Sequence, residues 1–130
     1  GYLGTYKWMS IQYKEEQEHA LKFSKYLQDQ GVKVELEAME QPKKSWKNIL
    51  EMFEDALEHE KKVTAWIYDL NTLAIAEKDY ATQSMLKWFI DEQVEEEANV
   101  NEAISALKLN AASATASYMV DRHIGKRGAS

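Results

Sequence analysis

The sequence predicts an all-α protein built from long amphipathic helices packed as a bundle. Three observations carry that prediction. Helix breakers are scarce, with one Pro and five Gly in 130 residues. Charged residues make up 29% of the chain and alternate in sign, as solvated helix faces do. Apolar residues recur at spacings of three and four over long runs.

The first helix is expected from about Gly4 to Gln30, with Gly31 in the left-handed position just past its end. The second begins at Ser45, a good N-cap residue, and runs to about Glu77. The third runs from about Tyr80 to Leu107, and a short fourth from about Thr115 to Ile124, followed by Gly125. All belong to one domain, residues 1–130. The link "EKD", Glu77 to Asp79, is so short that the second and third helices must be antiparallel neighbours. The link from Gly31 to Lys44 is far longer than a bundle turn needs. Extended, it spans roughly 45 Å at about 3.3 Å per residue. The first helix is roughly 40 Å long at about 1.5 Å per residue. A crossover is therefore expected there, making the first and second helices parallel.

Each long helix carries polar groups at core positions near its midpoint. In the first, the seam is expected to run Met9, Tyr13, Glu16, Ala20, Phe23, Leu27, with His19 one turn beyond Glu16. The second reads Trp46, Ile49, Phe53, Ala56, Glu60, Val63, Ile67, Leu70, Ala74. The third reads Leu86, Phe89, Gln93, Glu96, Val100, Ala103, Leu107. A single Glu on such a seam is ordinarily a satisfied polar core residue. Three seams interrupted at one level are not explained that way. Buried carboxylates need a partner, a proton or a metal, and no Lys or Arg lies on these seams at that level. Carboxylates with one imidazole suit iron(II), manganese or zinc, and the excess of carboxylate favours a di-iron site. Glu35, Glu37, Glu54 and Glu77 read as solvated face, and His59 and His123 as surface or interface residues.

The bulk numbers narrow the function further. Net charge is −6 and the pI is near 5.1, which argues against a nucleic-acid partner. There is no Cys, so disulfide and thiolate chemistry are excluded, in keeping with a reducing cytoplasm. No apolar run reaches membrane-spanning length, and Gly1 starts no signal peptide. A chain opening on Gly rather than Met reads as processed, trimmed or incomplete.

The segments "KWMSIQYKEEQEHALKF", "FEDALEHEKKVT" and "LKWFIDEQVEEEA" resemble the second, third and fourth bundle helices of bacterial and archaeal non-haem ferritins. "ASYMVDRHIGKR" resembles their short fifth helix, and "GYLGTYKWM" the loop between their first and second helices. The resemblance implies a ferritin-like four-helix bundle with a long crossover, in which the family's first helix has no counterpart in this chain. It also implies iron storage and detoxification. Fe(II) would be oxidised by dioxygen at a dinuclear ferroxidase centre and stored as mineral in a homo-oligomeric shell of 24 subunits. By the same resemblance, Glu16 bridges both irons and His19 ligates one. Glu60 and Glu96 ligate the second, and Gln93 lies beside the centre. Glu15, Glu92 and Glu95 match an accessory third iron site.

The third helix offers Glu96-x-x-Asn99 rather than a second Glu-x-x-His, and Gln17 stands where bacterioferritins carry a haem-binding Met. Haem is not expected. The family's first helix supplies a Glu ligand to the His-bound iron, and residues 108 to 130 contain no Glu to replace it. The rival expectation is a non-catalytic helical assembly or scaffold protein with a degenerate metal site.

Overall fold

The computed structural model describes residues 2–31, 46–110 and 114–127. Among them are four α-helices and no strand: α1 (Leu3–Asp29), α2 (Ile49–Ala76), α3 (Tyr80–Leu109) and α4 (Ala114–Ile124). The expected crossover, Ser45, Glu35 and Glu37 lie outside the described residues. The chain forms two compact units, one holding α1 and α4, the other α2 and α3.

α1 has no side-chain cap of its own at Tyr2. The cap comes from α4 instead. The Asp121 carboxylate accepts from the backbone N–H of Gly4 at 3.0 Å, and from the N–H and hydroxyl of Thr5 at 2.8 and 2.6 Å. The two N–H groups are orphan donors of a helix N-terminus, where a negative charge also suits the helix dipole. The two helices meet through glycine. A Cβ on Gly125 would fall 2.6 Å from the Cα of Gly4, and one on Gly4 would collide with the Asp121 carbonyl. Gly125 is thus required by close approach, whereas Gly31 stops α1 with φ of 77°. Trp8, Val120 and Ile124 are buried in this unit.

The buried stripe of α1 differs from the expected seam. Tyr13 and Ala20 are exposed, while Thr5 and Trp8 are buried and Gln12, Glu15, Glu16, His19 and Phe23 are half-buried. Tyr13 keeps its hydroxyl outside, where Gln17 donates to it at 3.1 Å. Thr5 and Gln12 turn inward because Asp121 and Arg127 supply partners there.

α2 starts at Ile49 with Asn48 as its cap, rather than at Ser45. The Asn48 side chain accepts from the N–H of Glu51 at 2.8 Å, and the Glu51 carboxylate accepts from the N–H of Lys47 at 2.6 Å. This is a close variant of the reciprocal capping box. Trp46 therefore precedes the helix, exposed, with its indole N–H donating to Asp55 at 2.8 Å.

α2 and α3 are antiparallel, joined by Glu77, Lys78 and Asp79. The N–H groups of Lys78 and Asp79 donate to the carbonyls of Ile75 and Ala74 at 3.1 and 2.8 Å. That is the Schellman pattern, with Lys78 in the left-handed position at φ of 55°. Asp79 then caps α3, accepting from the N–H and hydroxyl of Thr82 at 3.0 and 2.6 Å. Phe53, Ile67, Ala74, Leu86, Phe89, Val100, Ala103, Ile104 and Leu107 are buried in this unit.

Candidate metal centre

Polar residues interrupt the buried faces of α2 and α3 at one level, as the periodicity predicts. Glu60 is 4% exposed, Gln93 4% and Glu96 2%. A carboxylate oxygen of Glu60 lies within 4.8 Å of one from Glu96, and Glu92 also brings an oxygen within 4.8 Å of Glu96. Two ionised carboxylates this close and this buried repel each other, and a shared cation would offset that repulsion. Gln93 donates into the pair. Its Nε2 donates to Oε2 of Glu60 at 3.2 Å and to the Glu60 carbonyl at 3.2 Å. Glu92 is half-buried and Glu95 is exposed.

On α1, Glu16 and His19 are half-buried and three residues apart, so they share a face. Gln12, one turn before Glu16, donates to its Oε1 at 3.1 Å. Glu15 has a committed partner: the Arg127 guanidinium donates to its Oε2 at 2.7 Å. Arg127 also donates to the Gln12 amide oxygen at 2.8 Å and stacks 4.5 Å above the Trp8 ring.

Sequence reasoning missed Gln12, Thr64, Glu97 and Arg127. Thr64 is buried one turn after Glu60, and its hydroxyl lies 2.7 Å from the Glu97 carboxylate. A polar residue recurring at helical spacing from a seam Glu was the available signal for Gln12 and Thr64. For Arg127 there was none, since its partners lie more than a hundred positions away in the chain.

Within the α2–α3 unit, the carboxylate oxygens of Glu60, Glu92 and Glu96 suit a hard or borderline divalent cation. The profile of the ferritin-like domain family matches residues 1–110. This chain is a ferritin. It is 40% identical over 126 residues to the bacterial non-heme ferritin of Staphylococcus aureus (strain MRSA252), covering 97% of the chain and 76% of that protein. The Staphylococcus haemolyticus counterpart (strain JCSC1435) is 39% identical over 116 residues, covering 89% of the chain and 70% of its own length. Among solved structures, the open-pore ferritin of the hyperthermophilic archaeon Archaeoglobus fulgidus superposes with a TM-score of 0.93 at 37% identity, over 96% of this chain and 77% of that one. Iron binding and iron storage are the function this ferritin takes from its family. Among the described residues, no helix is long and apolar enough to cross a membrane.

Proposed function

We propose that this ferritin takes up Fe(II) at a dinuclear ferroxidase centre, oxidises it with dioxygen and stores the ferric product. The observation that carries this reading is the buried Glu60–Glu96 pair with Gln93 donating into it. Two carboxylates this close and this buried attract a multivalent cation together, and its charge offsets their mutual repulsion. Glu60 and Glu96 hold one iron, Glu16 bridges, and His19 binds the other. The midpoint level of these residues on their helices and the resemblance to non-haem ferritins support the shared centre. Iron here is substrate. Each Fe(II) gives one electron, two together reduce dioxygen to peroxide, and water bound to the ferric product sheds protons. The carboxylates stabilise the higher charge of the product more than that of the reactant, which favours oxidation.

Glu15, Glu92 and Glu95 serve as an accessory third site. Because Arg127 occupies Glu15, cation binding there requires the guanidinium to yield. The chain works as a cytoplasmic homo-oligomer, a shell of 24 copies, by analogy with its relatives.

The test is aerobic Fe(II) addition to the full chain, followed by ferric absorbance. Oxidation well above buffer autoxidation, lost in Glu60→Ala and Glu16→Ala, is expected. Background rates throughout would overturn the reading in favour of a non-catalytic assembly protein. Sedimentation velocity tests the shell, which would appear as one large species.

A further inference from the structure

A second tier of hydrogen bonds stands behind Glu60. The Thr64 hydroxyl lies 2.7 Å from Oε2 of Glu97 and 3.0 Å from the Glu60 carbonyl. It also accepts from Nε2 of Gln93 at 3.0 Å. A hydroxyl has one proton to donate. The Glu97 carboxylate is the nearer acceptor and the charged one, so the proton goes to it. The lone pairs of Thr64 are then left for Gln93.

That choice agrees with the orientation of the amide that the Glu60 carbonyl and carboxylate accept. A glutamine has a donor end and an acceptor end. Facing a lone pair of Thr64, Gln93 must present its NH2, and the same nitrogen reaches the Glu60 carboxylate at 3.2 Å. Turned over, the amide would set its oxygen against both the hydroxyl oxygen and the carboxylate. The donor end toward Glu60, which the Glu60 carbonyl also favours at 3.2 Å, is thus reinforced by the Glu97 carboxylate acting through Thr64.

We propose that Thr64 and Glu97 are positioning residues of the iron centre. Glu97, acting through Thr64, locks the Gln93 amide, and the locked amide holds Glu60 in the rotamer that receives the cation. The inference rests on the reading that Glu60 binds iron. Outer partners of this kind commonly change metal affinity by about 10–100-fold when removed.

The experiment is anaerobic titration of the full chain with Co(II), a spectroscopic probe for oxygen and nitrogen sites. Affinity is read by calorimetry and geometry by the visible ligand-field bands. Wild type, Thr64→Val, Thr64→Ser, Glu97→Gln and Glu60→Gln are compared, with the thermal midpoint of each metal-free protein. Thr64→Val is expected to weaken Co(II) binding by about tenfold and to shift the bands, with Thr64→Ser restoring both. Glu97→Gln, which keeps a weaker acceptor, should fall between. Should Thr64→Val fail to fold, Glu97→Gln carries the test, because Glu97 is only half-buried. Unchanged affinity and bands in Thr64→Val and Glu97→Gln, with Glu60→Gln impaired, would overturn the inference and leave the iron reading intact. Wild-type binding that Glu60→Gln does not alter would overturn both.

Discussion

Gln12 donates to the Glu16 carboxylate at 3.1 Å while its own amide oxygen accepts from Arg127 at 2.8 Å. A cation near the end of the chain thus orients an amide that reaches a proposed iron ligand on α1. The arrangement resembles Glu97, Thr64 and Gln93 on the other unit, with the sign of the outer charge reversed.

Arg127→Ala is expected to destabilise the protein by about 1–3 kcal/mol. It removes a charge-assisted bond to Glu15, a bond to Gln12 and the stacking on Trp8. Arg127→Lys should restore only part, because an ammonium lacks the planar fork that serves two acceptors and lies flat on the indole. Urea unfolding of the three proteins checks this. Equal midpoints would mean the guanidinium contacts contribute nothing in solution.

Glu16→Ala should reduce first-event metal loading more than Glu15→Ala. Glu15 is already neutralised by Arg127 at 2.7 Å, whereas Glu16 receives only an amide N–H among the contacts described. Glu15→Ala should instead alter later turnovers. Stoichiometric Fe(II) titrations of both variants distinguish these effects, and equal losses in the first turnover would contradict the placement.

Asp121→Ala should cost about 2–4 kcal/mol, because it strands the N–H groups of Gly4 and Thr5 and the Thr5 hydroxyl where water does not reach easily. Asp121→Asn should cost less, since one acceptor survives. Hydrogen exchange at the N-terminal turn of α1 should accelerate in both. Protection unchanged in Asp121→Ala would remove Asp121 as the cap.

Asp79 gives a pH signature. The hydroxyl of Thr82, then its backbone N–H, hold the Asp79 carboxyl below its ordinary value of 3.8. A depressed carboxyl stabilises the fold above its ordinary value. That stability declines as pH falls below 3.8 and through the lowered folded value. Asn caps helices about as well as Asp. Asp79→Asn should therefore keep the neutral-pH melting temperature and flatten this part of its acid dependence. A parallel acid profile in the variant would show that Asp79 contributes none of it.

The hydrophobic periodicity of α2 and α3 placed Glu60, Gln93 and Glu96 correctly, because those helices bury regular stripes against each other. Ile49, Ala56, Val63 and Leu70 are half-buried along the same stripe. On α1, Tyr13 and Ala20 depart from the expected seam and are exposed. Thr5 and Gln12, which are not apolar, turn inward toward partners on a distant segment, Asp121 and Arg127. Thr64 escaped notice for a related reason. A threonine is not apolar, and its burial depends on Glu97 and Gln93 across the hairpin. Ser45 and Asn48 are both good capping residues. The Glu51 carboxylate, reaching back to the N–H of Lys47, accompanies the choice of Asn48.

The Asp121 bond to Thr5 joins residues 116 positions apart, whereas α2 and α3 turn back within three residues. Loop closure costs more entropy for the longer span, and non-local pairings form late. On a ribosome, α1 emerges before α4 and must wait for it before its N-terminus is capped, while the α2–α3 hairpin can close as soon as both helices are made. Through that interval Thr5 and Trp8 are open to water. Newly made chains should therefore be most vulnerable to proteases and to chaperone capture along α1, and lesions at Gly4, Asp121 or Gly125 should lengthen that window without slowing the hairpin.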